Sequence, residues 1–334
     1  MDRVAAALGQ IAGTRGAVLC FHGLDVATAP SRSPMHVPLP LFEATIAMAQ
    51  TLGTVVPLGD LVTRHLAGRA TGGLIALTAD DAYASLFAAE PFLRRTGVPF
   101  AVFVVSGALT TGQTYWWDRI DDAFPLASAG RWRGFEDECG LPESYRQGQP
   151  AEEGPSRPIR QWLLAEHAGR WPAILDAPMA RLEADVGGPT RQRSMTESEL
   201  THFVARTSAQ LGIHTVSHAA LPFLSDDELV REIAGCHGEL RARFRDVLPY
   251  VAIPFGLFDA RTLRLATEAG MTASLTLAGE TLGGRSHPGV PRVCVVRAHT
   301  SGVIALKVSG MAAVLNRVRG RATAAYPPLP SPTT

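Results

Sequence analysis

Short apolar runs rich in β-branched residues alternate with helical patterns through most of the chain, and this alternation constrains the fold more than any other feature. The runs cover residues 16–22, 54–58, 73–80, 98–107, 211–218, 250–256, 272–278 and 290–297. Helical spacing marks 41–52, 59–68, 83–96, 196–209, 225–246, 259–269 and 301–318. Two helices start at capping boxes, Thr196 with Glu199 and Ser225 with Glu228. Continuous apolar strands separated by helices predict a parallel α/β sheet covered by helices, either a barrel or a doubly wound sheet.

The stretch from about 108 to 195 breaks the rhythm with Gly, Pro and charged clusters, and it holds all five tryptophans, Trp116, Trp117, Trp132, Trp162 and Trp171. It reads as a partly helical insertion in a single parent domain spanning 1–324, followed by a Pro-rich, disordered tail at 325–334. Of the 334 residues 46% are apolar, enough for a large core without disulfide staples. Thirty-one Lys and Arg balance 31 Asp and Glu, so no basic face draws the chain to nucleic acid. Cys20, Cys139, Cys236 and Cys294 have no Cys-x-x-Cys spacing and read as free thiols of a reducing compartment. The apolar stretch 4–8 is too short for a signal peptide, and no run of about 18 apolar residues occurs. The expectation is a cytoplasmic protein without a transmembrane segment; the oligomeric state stays open.

Parallel α/β folds collect function where strands end. One run ends in Asp80-Asp81, another in Phe21-His22, a third passes His214 and His218, and a fourth ends in Ile253-Pro254-Phe255-Gly256. Adjacent carboxylates are costly unless a cation compensates them. Consecutive strand side chains diverge, so one Asp binds a metal while the other is free as a base; the plain alternative is a helix cap and a solvated side chain. On a continuing strand His214 and His218 lie about 13 Å apart, whereas a turn after Thr215 brings both imidazoles together. Two imidazoles and one carboxylate leave coordination positions open, the pattern of a catalytic metal.

These residues carry a resemblance. Leu77-Thr78-Ala79-Asp80-Asp81-Ala82-Tyr83 resembles the Thr-Phe-Asp-Asp-Gly motif of the polysaccharide deacetylases, the NodB-homology family of carbohydrate esterases. His214 to His218, with Leu221, Leu224-Ser225 and Glu232-Ile233, resembles the family's His-Thr-x-x-His segment, and Ile253 to Gly256 its Tyr-Pro-Tyr-Gly strand end. Trp116-Trp117-Asp118-Arg119 and Pro291-Arg292-Val293 are similar to a bacterial subgroup, as is the N-terminal Phe21-His22 strand end. Three ordered motifs within residues 16–297 are far more specific than any one alone.

The resemblance implies a distorted (β/α) barrel of about seven parallel strands that removes N-acetyl groups from an amino-sugar glycan or glycan precursor with a divalent metal, commonly Zn2+. By position, Asp80 matches the general base, and Asp81, His214 and His218 the metal ligands. Pro254 and a backbone N–H near Phe255 fall at the oxyanion position. The general acid falls to His22 in the subgroup pattern, with His287 and His299 as other candidates. Trp116 and Trp117 are either a platform for a sugar ring or part of the insertion's own core. His36, His65, His167, His202 and His237 have no metal spacing and read as structural or solvated. Ala79 and Ala82 replace the motif's Phe and Gly, Ala82 resisting positive φ; Ala252 stands where many members carry an Arg that orients the base; and the family's fourth motif has no counterpart. The alternatives are a hydrolase of a non-glycan amide or an O-acetyl ester, and a lapsed barrel that only binds glycan or a partner protein.

Overall fold

The computed structural model describes residues 15–146, 157–279, 281–282 and 289–311. β2 (Leu24–Asp25) and β3 (Val37–Pro38) form a small separate sheet, and the main sheet is built from β1 (Ala17–Phe21), β4 (Thr54–Val55), β5 (Leu74–Ala79), β6 (Ala101–Val104), β7 (Gln210–Ile213), β8 (Val247–Ala252), β9 (Ala273–Thr276), β10 (Val290–Pro291) and β11 (Val293–Cys294). The order is β10-β9-β8-β7-β6-β5-β1-β11, with β4 beside the first half of β5. Every pairing is parallel. β10 and β11 are halves of one extended segment around Arg292; the first pairs with β9 and the second with β1. That segment nearly closes the barrel, so the path of eight strands occupies about seven positions, as the resemblance implies.

Residue pairing explains what each face carries. Ala17, Leu19, Phe21, Ile75, Leu77, Ala79 and Val293 belong to the large cluster packed with the helices. Val18, Ala76, Ala101, Phe103 and Val290 form a second, smaller cluster. With a period of two, Cys20 and His22 continue the line of Val18, Asp80 that of Ala76, and Arg292 and Cys294 that of Val290. The interior face of several strands therefore turns from apolar to polar toward its C-terminal end. The cost of interior space is visible at Gly212, where an added Cβ would lie 2.4 Å from the Phe103 ring.

The helices are α1 (Leu39–Leu52), α2 (Leu58–Leu66), α3 (Glu90–Thr96), α4 (Trp116–Ala123), α5 (Ala129–Glu138), α6 (Glu143–Arg146), α7 (Arg157–His167), α8 (Asp176–Asp185), α9 (Glu197–Thr207), α10 (Asp226–Arg243), α11 (Ala260–Glu268) and α12 (Ser301–Val308). Both expected capping boxes form, at α9 and α10, and Asp259 with Thr262 makes a third at α11. The helix expected over 83–96 is a 3-10 turn, Ala84–Ala89, leading into α3. Between α4 and α8, Trp116, Ile120, Trp132, Phe135, Ile159, Trp162, Leu163, Met179 and Leu182 pack into a core separate from the barrel's. The expected tail lies outside the described residues.

Candidate active site

The turns after β5, β7 and β8 build the site. Five of the seven non-glycine residues with positive φ among the described residues cluster here: Asp81 (67°), Ala82 (49°), Thr215 (69°), His218 (58°) and Phe255 (56°). Such conformations persist where surrounding contacts fix them. Ala82 thus adopts the backbone its family position demands of Gly, against the expected resistance, because both ends of the insertion grip the turn. Tyr115 Oη donates to the Asp81 carbonyl at 3.0 Å, and the Met195 N–H donates to the Ala82 carbonyl at 2.7 Å.

β7 stops at Ile213, and the backbone turns at Thr215 and again at His218, bringing the two imidazole centroids to 4.6 Å. The alternative with both histidines on one strand is excluded. His214 Nδ1 donates to the Ala252 carbonyl at 2.8 Å, leaving Nε2 as the acceptor facing the site. Asp81 Oδ1 lies 3.5 Å from His214 Nε2 and 3.4 Å from His218 Nε2. That oxygen is buried and has no hydrogen-bond partner. Burial pushes the Asp81 carboxyl up, and burial with the neighbouring His214 pushes His218 down. An orphaned carboxylate oxygen and two imidazole nitrogens within 4.8 Å of one another are a donor set that fits a divalent cation.

Asp80 faces the other way, as strand alternation requires. Arg292 Nη1 and Nη2 grip its two oxygens at 2.7 and 2.8 Å, with both side chains at most 1% exposed. Burial alone would raise the carboxyl; Arg292, His214 and His22 outweigh it and hold it well below the usual range. Ala252 leaves no vacancy, because the guanidinium that orients Asp80 arrives from the closing segment. Pro291-Arg292-Val293 was visible in the sequence, but nothing there showed that this segment crosses beneath β5's end.

His22 Nε2 lies 4.0 Å from Asp80 Oδ2. Burial would lower the imidazole, yet Cys294, Asp80 and Asp81 raise it to about 9. His299 is not at the site: its Nε2 meets Lys307 Nζ at 3.0 Å, and it does not line the cavity. His287 lies outside the described residues.

A cavity of about 520 Å³ opens over these groups, lined by His22, Asp80, Asp81, His214 and His218 on the barrel side. Trp116, Trp117, Asp121, Arg160 and Leu164 of the insertion form the opposite wall, with Phe255 between. Both tryptophans line the cavity, and each is also tied into the protein around it. Trp117 stacks on Tyr115 at 4.6 Å and 8°, and its Nε1 donates to Tyr83 Oη at 2.8 Å. Trp116 donates to the Gly169 carbonyl at 2.8 Å and belongs to the insertion core. Phe255 sets its ring edge-on to His218 at 4.5 Å, and Pro254 is buried without lining the cavity.

Sequence reasoning missed a buried network behind this wall. Tyr83 Oη donates to Asp118 Oδ2 at 2.6 Å, and His36 Nε2 lies 3.2 Å from Asp118 Oδ1, so His36 is structural as expected but tied to the site.

The family profile described as polysaccharide deacetylase matches residues 162–274, which include His214, His218 and Phe255. No curated protein matches the chain significantly. Among solved structures, IcaB from Ammonifex degensii is 18% identical with a TM-score of 0.55, over 89% of this chain and 98% of that one. The Streptococcus pyogenes deacetylase PplD, solved with acetate, is 12% identical with a TM-score of 0.54, over 88% and 98%. A de-N-acetylase from Aggregatibacter actinomycetemcomitans is 13% identical with a TM-score of 0.52, over 88% and 99%. Likeness at these identities shows a shared fold.

Proposed function

We propose, from the match of residues 162–274 to the polysaccharide deacetylase family, that this chain hydrolyses the N-acetyl group of an amino-sugar glycan or glycan precursor. One observation carries the reading: Asp81, His214 and His218 converge around an unsatisfied carboxylate oxygen, beside an Arg-held carboxylate and a raised imidazole, at the floor of one cavity. The activities of the structural neighbours, a deacetylase and a de-N-acetylase, support it. The four free thiols support a cytoplasmic setting.

Asp81, His214 and His218 would hold the cation, for which a His-His-carboxylate set favours Zn2+. Bound there, it would supply Lewis-acid chemistry at the acetamido carbonyl and at water. The chain's own groups divide the proton transfers. Asp80, held ionised by Arg292, takes the proton of the attacking water. His22, charged at neutral pH, gives its proton to the departing amine. Acid and base are pushed to opposite states by their surroundings, which is how two titratable groups acquire separate roles. The insertion wall excludes water from the far side of the cavity and limits what can enter.

The test is acetate release from N-acetylglucosamine oligomers by the purified chain, with metal content measured in parallel. Stoichiometric zinc that is lost in His214→Ala together with acetate release supports the reading. Acetate from O-acetylated sugars alone would change it to an esterase. Unchanged metal content in His214→Ala would remove the ligand assignment.

A further inference from the structure

The cavity over the strand ends takes its walls from six neighbouring positions of the barrel. In ring order they are given by Leu277 after β9, Phe255 after β8, His218 after β7, Leu164 of the insertion after β6, Tyr83 after β5 and Met35 in the loop between β2 and β3. Hydrogen bonds join the insertion to its neighbours on both flanks. On one, Asp122 Oδ1 of α4 accepts from the Arg32 N–H at 2.6 Å and from Ser31 Oγ at 3.4 Å. That loop is held from behind by Arg297, whose N–H donates to the Pro34 carbonyl at 2.8 Å and whose Nη1 meets Asp25 Oδ2 at 2.8 Å. On the other flank, the Ala220 N–H of the loop after β7 donates to the Ala168 carbonyl of the insertion at 2.7 Å. Between these two seams, α7 lines the cavity with one helical face, Arg160, Gln161 and Leu164, and Arg160 pairs with Asp121 of α4.

An internal sugar of a polymer carries a neighbour on each side, so bringing its acetamido group to the floor at Asp81, His214 and His218 requires two exits on opposite sides of the cavity. A chain end, or a single sugar, requires one at most. Among the described residues, the sector of β10 and β11 is the one part of the ring that gives the cavity no lining residue. We propose that this cavity takes the end unit of an N-acetylated glycan, or a single sugar of a precursor, and excludes the internal units of a polymer by their clash with the insertion wall. Its volume of about 520 Å³ lies within the roughly 300–1,000 Å³ of pockets that enclose one small ligand. Selection by clash works only where the wall does not yield. The two seams hold this wall at its flanks, and Ile159 and Leu163 of α7 anchor it in the insertion core. The inference rests on the deacetylase reading and names the substrate class of that same site.

The experiment gives the full, zinc-loaded protein an N-acetylglucosamine pentamer carrying oxygen-18 at its reducing end, so that tandem mass spectrometry locates each lost acetyl. The expected result is a single acetate per pentamer, always from an end unit, with a rate per oligomer that does not grow from trimer to hexamer. Acetate from the monomer alone supports the proposal as well. Two variants test the wall: Asp122→Ala removes the acceptor of one seam, and Leu164→Ala, half-buried and outside both seams, trims the wall itself. Either variant, with its circular dichroism unchanged, should release a second acetate from the unit next to the end. Selectivity for the end that persists in the folded variants would overturn the wall as its cause. Acetate lost from internal units by the wild-type protein would overturn the proposal while the deacetylase reading stands. No acetate from pentamer or monomer would remove both.

Discussion

At the strand ends, Asp80, Asp81, His214 and His218 are all no more than 5% exposed, whereas the insertion places ion pairs such as Arg131–Asp185 and Arg133–Asp137 in solvent. The insertion takes its order from aromatic packing, with Trp132 edge-on to Phe124 at 4.6 Å and beside Phe135 at 5.1 Å. The strand-end site is the reverse, with costly buried charges and positive-φ turns fixed from outside. Buried charges that are expensive for the fold are kept at the strand ends where chemistry needs them, while the ion pairs on the insertion's surface are placed cheaply. Substitutions in the two regions should therefore fail in different ways.

The largest expected effect is at the cation ligands. His214→Ala should lose bound metal and bring acetate release to background, with the fold retained; full metal content by mass spectrometry would break the contrast. Next is Asp80→Asn, for which loss of a general base predicts a drop of about 10²–10⁴ in kcat with metal content unchanged. An equal loss of metal would mean that Asp80 is a ligand.

The insertion should answer in stability. Trp132 is 5% exposed in the separate core, and removal of such a side chain costs about 3–5 kcal/mol. Trp132→Ala should lower the denaturation midpoint, with the titration of His22 unmoved. A shift in that titration would show that the insertion core and the site are one cooperative unit.

The pH dependence tests the site from another side. His22 is raised in the fold to about 9, above its ordinary 6.5. A raised folded value means that its contribution to stability is complete below pH about 6.5 and is lost as pH rises through about 9. Activity should have an alkaline limb near the same value, because the acid must be protonated. An alkaline limb near 6.5 would show that Cys294 and Asp80 do not raise the ring.

Much of this contrast is legible in the sequence, and the missing part has a common cause. The strand-helix alternation marks the barrel, and Asp80-Asp81 with His214 and His218 marks its polar rim, because a local pattern identifies each. Arg292 stands in a stretch the sequence marks, but nothing local shows where its guanidinium goes. Its role comes from ring closure, which brings it onto Asp80, 212 positions away in sequence. The Tyr83–Asp118–His36 network is hidden because only tertiary packing brings the insertion's Asp118 to Tyr83 and His36. Ala82 illustrates a different limit: its side chain disfavours positive φ, and only the tertiary contacts from Tyr115 and Met195 show what fixes it there.

The smallest expected effect is at Arg131, whose side chain is 64% exposed and whose partner Asp185 is 37% exposed, at 2.6 Å. Short as that contact is, both charges keep most of their hydration, and holding a long side chain in one geometry costs entropy that offsets the attraction. Arg131→Ala should therefore change stability by about 0.2–1 kcal/mol, fading with added salt as screening shortens the range of surface charges. A loss as large as that of Trp132→Ala would mean that the insertion depends on its surface charges as the strand ends depend on theirs, and the difference between the two regions would disappear.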